Sequence, residues 1–148
     1  MAANVKDKAA IVGIANTEFS KNSGRSELQL AAEAIAAALE DAGLAPDEVD
    51  GMTTFTMDTS DEIELARAVG IGDLNFYSRV PHGGGAATGL IHQAVMAVAT
   101  GMAQTVVCYR GLNGRSGHRF SSGVAGDITT SDAIHWGWYM PYGLLTPA

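Results

Sequence analysis

The sequence predicts an α/β protein with a mostly parallel sheet and a buried central helix. Three observations predict the architecture. Short runs of β-branched, aliphatic or aromatic residues alternate with stretches of helical apolar spacing. The connections are short and marked by glycine or proline. Strands that alternate with helices in this way favour βαβ crossovers, which make neighbouring strands parallel.

Residues 9–15 (AAIVGIA) form a continuous apolar run, which reads as a first strand buried on both faces. A polar loop with Asn22, Ser23 and Gly24 leads to Ser26, which can cap a helix with Gln29 reaching back. Leu28, Ala31, Ala32, Ile35, Leu39 and Ala42 then repeat at helical spacing, and Gly43 ends the helix. Residues 44–51 carry Pro46 and acids as a turn, and residues 52–57 (MTTFTM) read as a second strand. Thr59 and Glu62 have the spacing of another capping box, before a helix through Ile63, Leu65, Ala66 and Val69 to Gly70. Residues 74–80 make a third strand.

Next comes a triple-glycine turn and a strongly apolar helix, from Gly85 to Gly101. Ala87, Ile91, Ala94, Val95, Val98 and Met102 form one stripe, and Leu90 and Ala97 fill much of the rest. So little polar surface predicts a helix packed in the interior. Residues 105–109 are a fourth strand, and the period is then lost. The core is therefore expected over residues 1–110, as βαβαβαβ. Residues 111–148 read as the start of a surface loop region, with an aromatic cluster at His135, Trp136, Trp138, Tyr139 and Tyr142 that favours packing.

Composition narrows the function. With 148 residues and 47% apolar content the chain can build one core. A net charge of −7 and scattered basic residues argue against nucleic acid as a partner. One cysteine excludes an intrachain disulfide, and the N-terminus lacks the pattern of a signal peptide, so a reducing, cytoplasmic setting is expected. No apolar run reaches the ~20 residues of a membrane span.

The turn at Gly83, Gly84 and Gly85 is where chemistry is expected, because the following helix would aim free N–H groups and its positive dipole end at it. Pattern alone leaves several readings open. Gly83, Gly85 and Gly89 approximate a dinucleotide fingerprint, but the fingerprint belongs to a first strand and needs an acid after the next one, where Tyr109 and Arg110 stand. His82-Gly83-Gly84-Gly85 spells an esterase oxyanion loop, but no G-x-S-x-G nucleophile elbow follows. A tight turn chosen for packing is the plain alternative. His82 reads either as a contact to an acyl carbonyl or as a turn histidine satisfied by backbone. Cys108 reads as a small buried strand residue, His92 as structural, and Arg110, Arg115 and Arg119 as solvated surface.

The stretches KAAIVGIANTEF, ELQLAAEAIAAALEDAGL, EIELARAVGI and GMAQTVVCYRGLNGRSG, in this order, resemble the N-terminal half of the thiolase superfamily. The nearest branch is the lipid-transfer-protein-like group related to sterol-carrier-protein thiolases. In thiolases a nucleophilic cysteine opens the central helix, where the dipole lowers its pKa. The family's spacing, counted back from Gly101, puts that position at Gly85. Without a thiolate no acyl-enzyme forms, and the resemblance shifts to relatives that lack the cysteine, the steroid side-chain-cleaving aldolases.

The resemblance implies retro-aldol cleavage of a steroid β-hydroxyacyl-CoA that releases a short acyl-CoA. The Gly85 backbone N–H would contact the enolate oxygen, with His82 a possible second catalytic group and Gly83, Gly84 and Ala86 against the substrate. It implies no cofactor, a coenzyme A thioester as substrate, and no metal. It implies a homodimer through residues 75–80, beginning at Asn75 and ending at Val80, and a small OB-fold partner protein. Acid/base groups are expected in a second half outside this chain, so the chain by itself is expected to be inactive. A sterol-carrier-type acyltransferase relative, or a non-catalytic lipid or acyl-CoA binding module, are the alternatives.

Overall fold

A computed structural model describes residues 5–55, 60–80 and 86–114. Helix α1, Glu27–Ala42, begins where its local chemistry says it should. The Gln29 amide donates to Ser26 Oγ, and the Ser26 amide donates to Gln29 Oε1, each at 3.1 Å. This reciprocal pair satisfies two amides that a helix start leaves open. Gly43 closes α1 at φ 68°, a conformation that a Cβ disfavours.

Strand β1, Gly51–Phe55, and helix α2, Glu62–Val69, come next. The cap of α2 is Asp61 and not the expected Thr59: the Ile63 and Glu64 amides donate to Asp61 Oδ1 at 2.9 and 3.1 Å. A carboxylate beside the first turn accepts from two amides and complements the helix dipole, which favours it over a hydroxyl farther upstream. Strand β2, Phe76–Val80, helix α3, Ala86–Thr100, and strand β3, Val106–Cys108, complete the order.

The sheet order is β2-β1-β3 with both pairs parallel. Thr53 lies opposite Ser78 on one side and Cys108 on the other, and Thr54 lies opposite Arg79. Alternation along the strands sends Met52, Thr54, Tyr77, Arg79 and Val107 to one face. There Met52 and Tyr109, with Tyr77 and Val107, meet Ala31, Ile35 and Leu39 of α1 and Leu65 and Ala66 of α2 in the main core. Helix α3 packs across all three strands on the other face, through buried Leu90, Ala94 and Ala97.

Asp50 ties the three strand starts together. Its carboxylate accepts from the Gln104 amide at 2.9 Å, the Thr105 amide at 2.9 Å and the Asn75 side chain at 3.2 Å. Its carbonyl accepts from the Asn75 amide at 2.7 Å. Burial pushes the Asp50 carboxyl up, but the amides of Thr105 and Gln104 and the side chain of Asn75 outweigh it and hold it below its ordinary value.

Two expectations are overturned. Residues 9–15 are not a strand, and the described sheet has three strands instead of four. The segment is laid along α1: a Cβ on Gly13 would come within 2.3 Å of the Ala38 carbonyl oxygen, and the Ile14 amide donates to Asp41 Oδ2 at 2.9 Å. Ile11 and Ile14 remain 76% and 75% exposed. A continuous apolar run records a need for burial without naming the partner that would meet it, and no described strand pairs with this one.

The second correction concerns α3, which is buried on one side and not all round. Ile91 is 43% exposed, and Ala87 and Met96 are exposed with it. The helix has a single layer, the sheet, against it among the described residues, so only the Leu90, Ala94, Ala97 side is covered.

Candidate active site

Because the three strands are parallel, their C-terminal ends share one edge, and the chain leaves that edge toward α2 and α3. This is where open α/β sheets present ligand-binding loops. The start of α1 is brought to the same edge by the segment after β3. Asn113 Nδ2 donates to the Arg25 carbonyl at 2.7 Å, and the Asn113 amide donates to Glu27 Oε1 at 3.3 Å. Gly111 allows this approach: a Cβ there would meet the Glu27 carbonyl oxygen at 2.7 Å and Ala31 Cβ at 3.0 Å.

Three helix starts therefore gather at one edge, and their electrostatics differ. The α1 start has the Ser26–Gln29 box and Glu27 in its first turn. The α2 start has the Asp61 cap with Glu62 and Glu64. The α3 start, Ala86-Ala87-Thr88-Gly89, has no acidic residue in its first turn. Among the described residues it is the only one of the three starts without an acidic side chain in its first turn. Gly89 lets this turn lie close on the sheet, since a Cβ there would stand 3.2 Å from Val80 Cγ1.

Polar contacts fasten the strand ends around it. Thr54 Oγ1 donates to the Tyr109 carbonyl at 2.9 Å, and the Tyr109 amide donates to the Thr53 carbonyl at 3.1 Å. Arg79, the last residue of β2 but one, donates through Nε to Tyr77 Oη and through Nη2 to the Ser60 carbonyl, both at 3.1 Å. Its Nη2 is also 3.6 Å from Glu62 Oε2. Burial works against the Arg79 charge, but the neighbouring Tyr77, Tyr109 and Glu62 outweigh it and strengthen the protonated form.

Of the residues singled out from sequence, Ala86 is the first residue of α3. His82, Gly83, Gly84 and Gly85 lie outside the described residues, as do Arg115, Arg119 and the aromatic cluster. Cys108 is exposed on β3, contrary to the expected burial, because among the described residues β3 has a neighbouring strand on one side only. Desolvation by its surroundings nonetheless pushes its thiol up to about 11, which favours the protonated form at neutral pH. His92 is exposed on α3. Among the described residues no three His, Cys, Asp or Glu side chains converge as a metal site would require. The residue that sequence reasoning passes over is Arg79. In the sequence it is a lone arginine inside a strand, and only the register beside Thr54 reveals its position at the site edge.

No family model matches the chain. It is 61% identical over 142 residues to a steroid side-chain-cleaving aldolase of Thermomonospora curvata, a match covering 95% of this chain and 36% of that protein. It is 57% identical over 144 residues to the 17-hydroxy-3-oxo-4-pregnene-20-carboxyl-CoA lyase of Mycobacterium tuberculosis, covering 95% of this chain and 37% of the lyase. A solved structure of an Ltp2-ChsH2(DUF35) aldolase superposes with a TM-score of 0.77 at 59% identity, over 93% of this chain and 34% of that one. The chain thus spans about a third of the length of the proteins it matches. Over nearly its whole length it is similar in sequence to a part of a steroid side-chain-cleaving aldolase and of a carboxyl-CoA lyase, and it shares its fold with about a third of a solved aldolase.

Proposed function

We propose that this chain is part of a thiolase-like lyase that cleaves the side chain of a steroid β-hydroxyacyl-CoA by retro-aldol chemistry and releases a short acyl-CoA. The observation that carries this reading is the 61% identity, over 142 residues, to a steroid side-chain-cleaving aldolase. The name of the second relative describes a 17-hydroxy-20-carboxyl-CoA, in which the hydroxyl-bearing carbon neighbours the carbon that carries the thioester. A retro-aldol needs that arrangement.

In the reaction a base takes the β-hydroxyl proton, the hydroxyl carbon becomes a ketone, and the bond between the α and β carbons breaks. Its electron pair passes into the thioester enolate, which is then protonated. The step that benefits from fixed donors is enolate formation. The α3 start, free of acidic residues in its first turn, suits it. In this reading Gly85 contributes its backbone N–H to the enolate oxygen, Gly83, Gly84 and Ala86 lie against the thioester, and His82 is a second contact to the carbonyl. The substrate is a coenzyme A thioester and the reaction uses no cofactor. The two-part name of the solved aldolase supports a separate partner, which we take to be a small OB-fold protein.

The test uses the full-length protein with its partner and a steroid β-hydroxyacyl-CoA, with the acyl-CoA and steroid ketone followed by mass spectrometry. Release of both is expected. Gly85→Cys, which puts a side chain where the carbonyl meets the Gly85 N–H, should lower the rate on the order of 10²-fold. Its new thiol should react with iodoacetamide faster than Cys108 does. No release by the unaltered protein would sink the lyase reading. Cleavage at the normal rate by Gly85→Cys would make the glycine turn a structural feature.

A further inference from the structure

We propose that Arg79 is a positioning residue that fixes the end of β2 and, through it, the first turn of α3. The inference goes beyond the lyase reading and rests on it only for its kinetic arm. Arg79 is one residue from the end of β2, and β2 is an edge strand among those described, hydrogen-bonded to β1 alone. A strand held on one side can splay at its end. The guanidinium acts against this by joining three things in one plane-directed set of contacts. Nε meets Tyr77 Oη on its own strand at 3.1 Å, and Nη2 meets the Ser60 carbonyl at 3.1 Å, in the segment leading into α2. Nη2 also faces Glu62 Oε2 at 3.6 Å, in the first turn of α2.

The end of β2 is thereby fastened to the start of α2 across the end of β1, where Thr54 is the register partner of Arg79. On the opposite face, Val80 lies within van der Waals reach of Gly89, so a shift in the end of β2 passes directly to the first turn of α3. The side chain is half-buried between the sheet and α2, where charge-assisted hydrogen bonds are stronger than in open water. Lysine cannot replace it, because one ammonium on a flexible stem does not reproduce the forked donor geometry that serves Tyr77 and Ser60 together.

The experiment compares Arg79→Met, Arg79→Lys and, as a control, Arg67→Met on the exposed side of α2, in the full-length protein. Amide hydrogen exchange is the arm independent of the reaction. Both Arg79 variants should exchange faster in the second turn of α3, where amides are first held by the carbonyls of Ala86 to Gly89, and at the capped start of α2, while α1 keeps its protection, and Arg67→Met should match the parent. In steady-state cleavage, misplacing the first turn of α3 should lower kcat on the order of 10-fold or more with KM nearly unchanged, and Lys should not rescue it. If the parent does not cleave, the lyase reading fails, and exchange alone decides the role of Arg79. Unaltered exchange at the second turn of α3 in both variants would overturn the proposal. So would a loss expressed wholly in KM, which would make Arg79 a substrate contact. If Arg79→Met does not fold, Arg79→Lys, which keeps stem and charge, carries the test.

Discussion

Single residues at this edge carry more than their types suggest. Thr53 sits in the middle of the central strand, fully buried, and its hydroxyl has no hydrogen-bond partner among the described residues. A buried hydroxyl without a partner costs about 1–3 kcal/mol, and valine has nearly the same shape without that cost. Thr53→Val is therefore expected to stabilise the protein by about 1 kcal/mol, raising the midpoint of urea unfolding without altering its slope. A lowered midpoint would mean that the hydroxyl is satisfied in solution. Gly111 shows the opposite economy, since removal of a side chain is what admits the Glu27 carbonyl at the α1 start. Neither residue stands out in the sequence: a threonine in a β-rich run and a glycine after a strand are ordinary there. Their meaning depends on neighbours distant in the chain, Ser78 and Cys108 beside Thr53 and Glu27 beside Gly111, which periodicity does not encode.

Elements follow the same division between local and distant causes. Helix α1 is legible in the sequence because Ser26, Gln29 and Gly43 act within one turn of the residues they cap. The α2 start is legible to within two residues, and the error is Asp61 displacing Thr59. The three strands of the sheet are legible for the same reason, each bounded by its own turn residues. Residues 9–15 are not, because strand formation needs a partner and the apolar run says nothing about where one is. The burial of α3 is half legible: its side chains show that it must be covered, and the described residues cover the Leu90, Ala94, Ala97 side. At the site, the glycine turn draws attention from sequence, whereas Arg79 needs the register. The element most dependent on one residue is the sheet itself. Asp50→Ala removes the acceptor for the Gln104 and Thr105 amides and the Asn75 side chain, and is expected to cost about 2 kcal/mol. Its pH dependence has a definite sign. With the folded pKa held below its ordinary value, the charged form is favoured in the folded state. The contribution is present above the unfolded pKa and is lost as pH falls through the folded one. Asp50→Asn should flatten the acid limb of the stability profile below about pH 4, as read by denaturant titration at successive pH values. An unchanged acid limb would show that other carboxylates govern it.

At the scale of the whole molecule the open question is what meets the surfaces that these residues leave uncovered. No helix among the described residues is long and apolar enough to cross a membrane, so the exposed Ile11, Ile14, Phe19 and Ile91 do not belong to a helical span of the chain described here. Strand β2 gives the sharpest test. It lies at one edge of the sheet, each of its residues is half-buried, and its outer backbone groups have no described strand beside them. An edge of this length invites pairing, and a two-fold axis through it would satisfy both copies with the same surface. We therefore expect the full-length protein to be a dimer in which residues 75–80 of one copy run antiparallel to those of the other. Two-fold pairing makes one position its own partner, with Cα atoms about 5 Å apart, inside disulfide range. Cysteines placed singly from Phe76 to Val80, in a Cys108→Ala background, should cross-link under mild oxidation with one clear maximum. The yield should fall on either side, because each step away from the axis separates the two copies of a residue by twice the rise of the strand, about 7 Å. A flat cross-linking profile, or a mass that stays monomeric as concentration rises in sedimentation, would remove β2 from the interface and leave its edge to another partner.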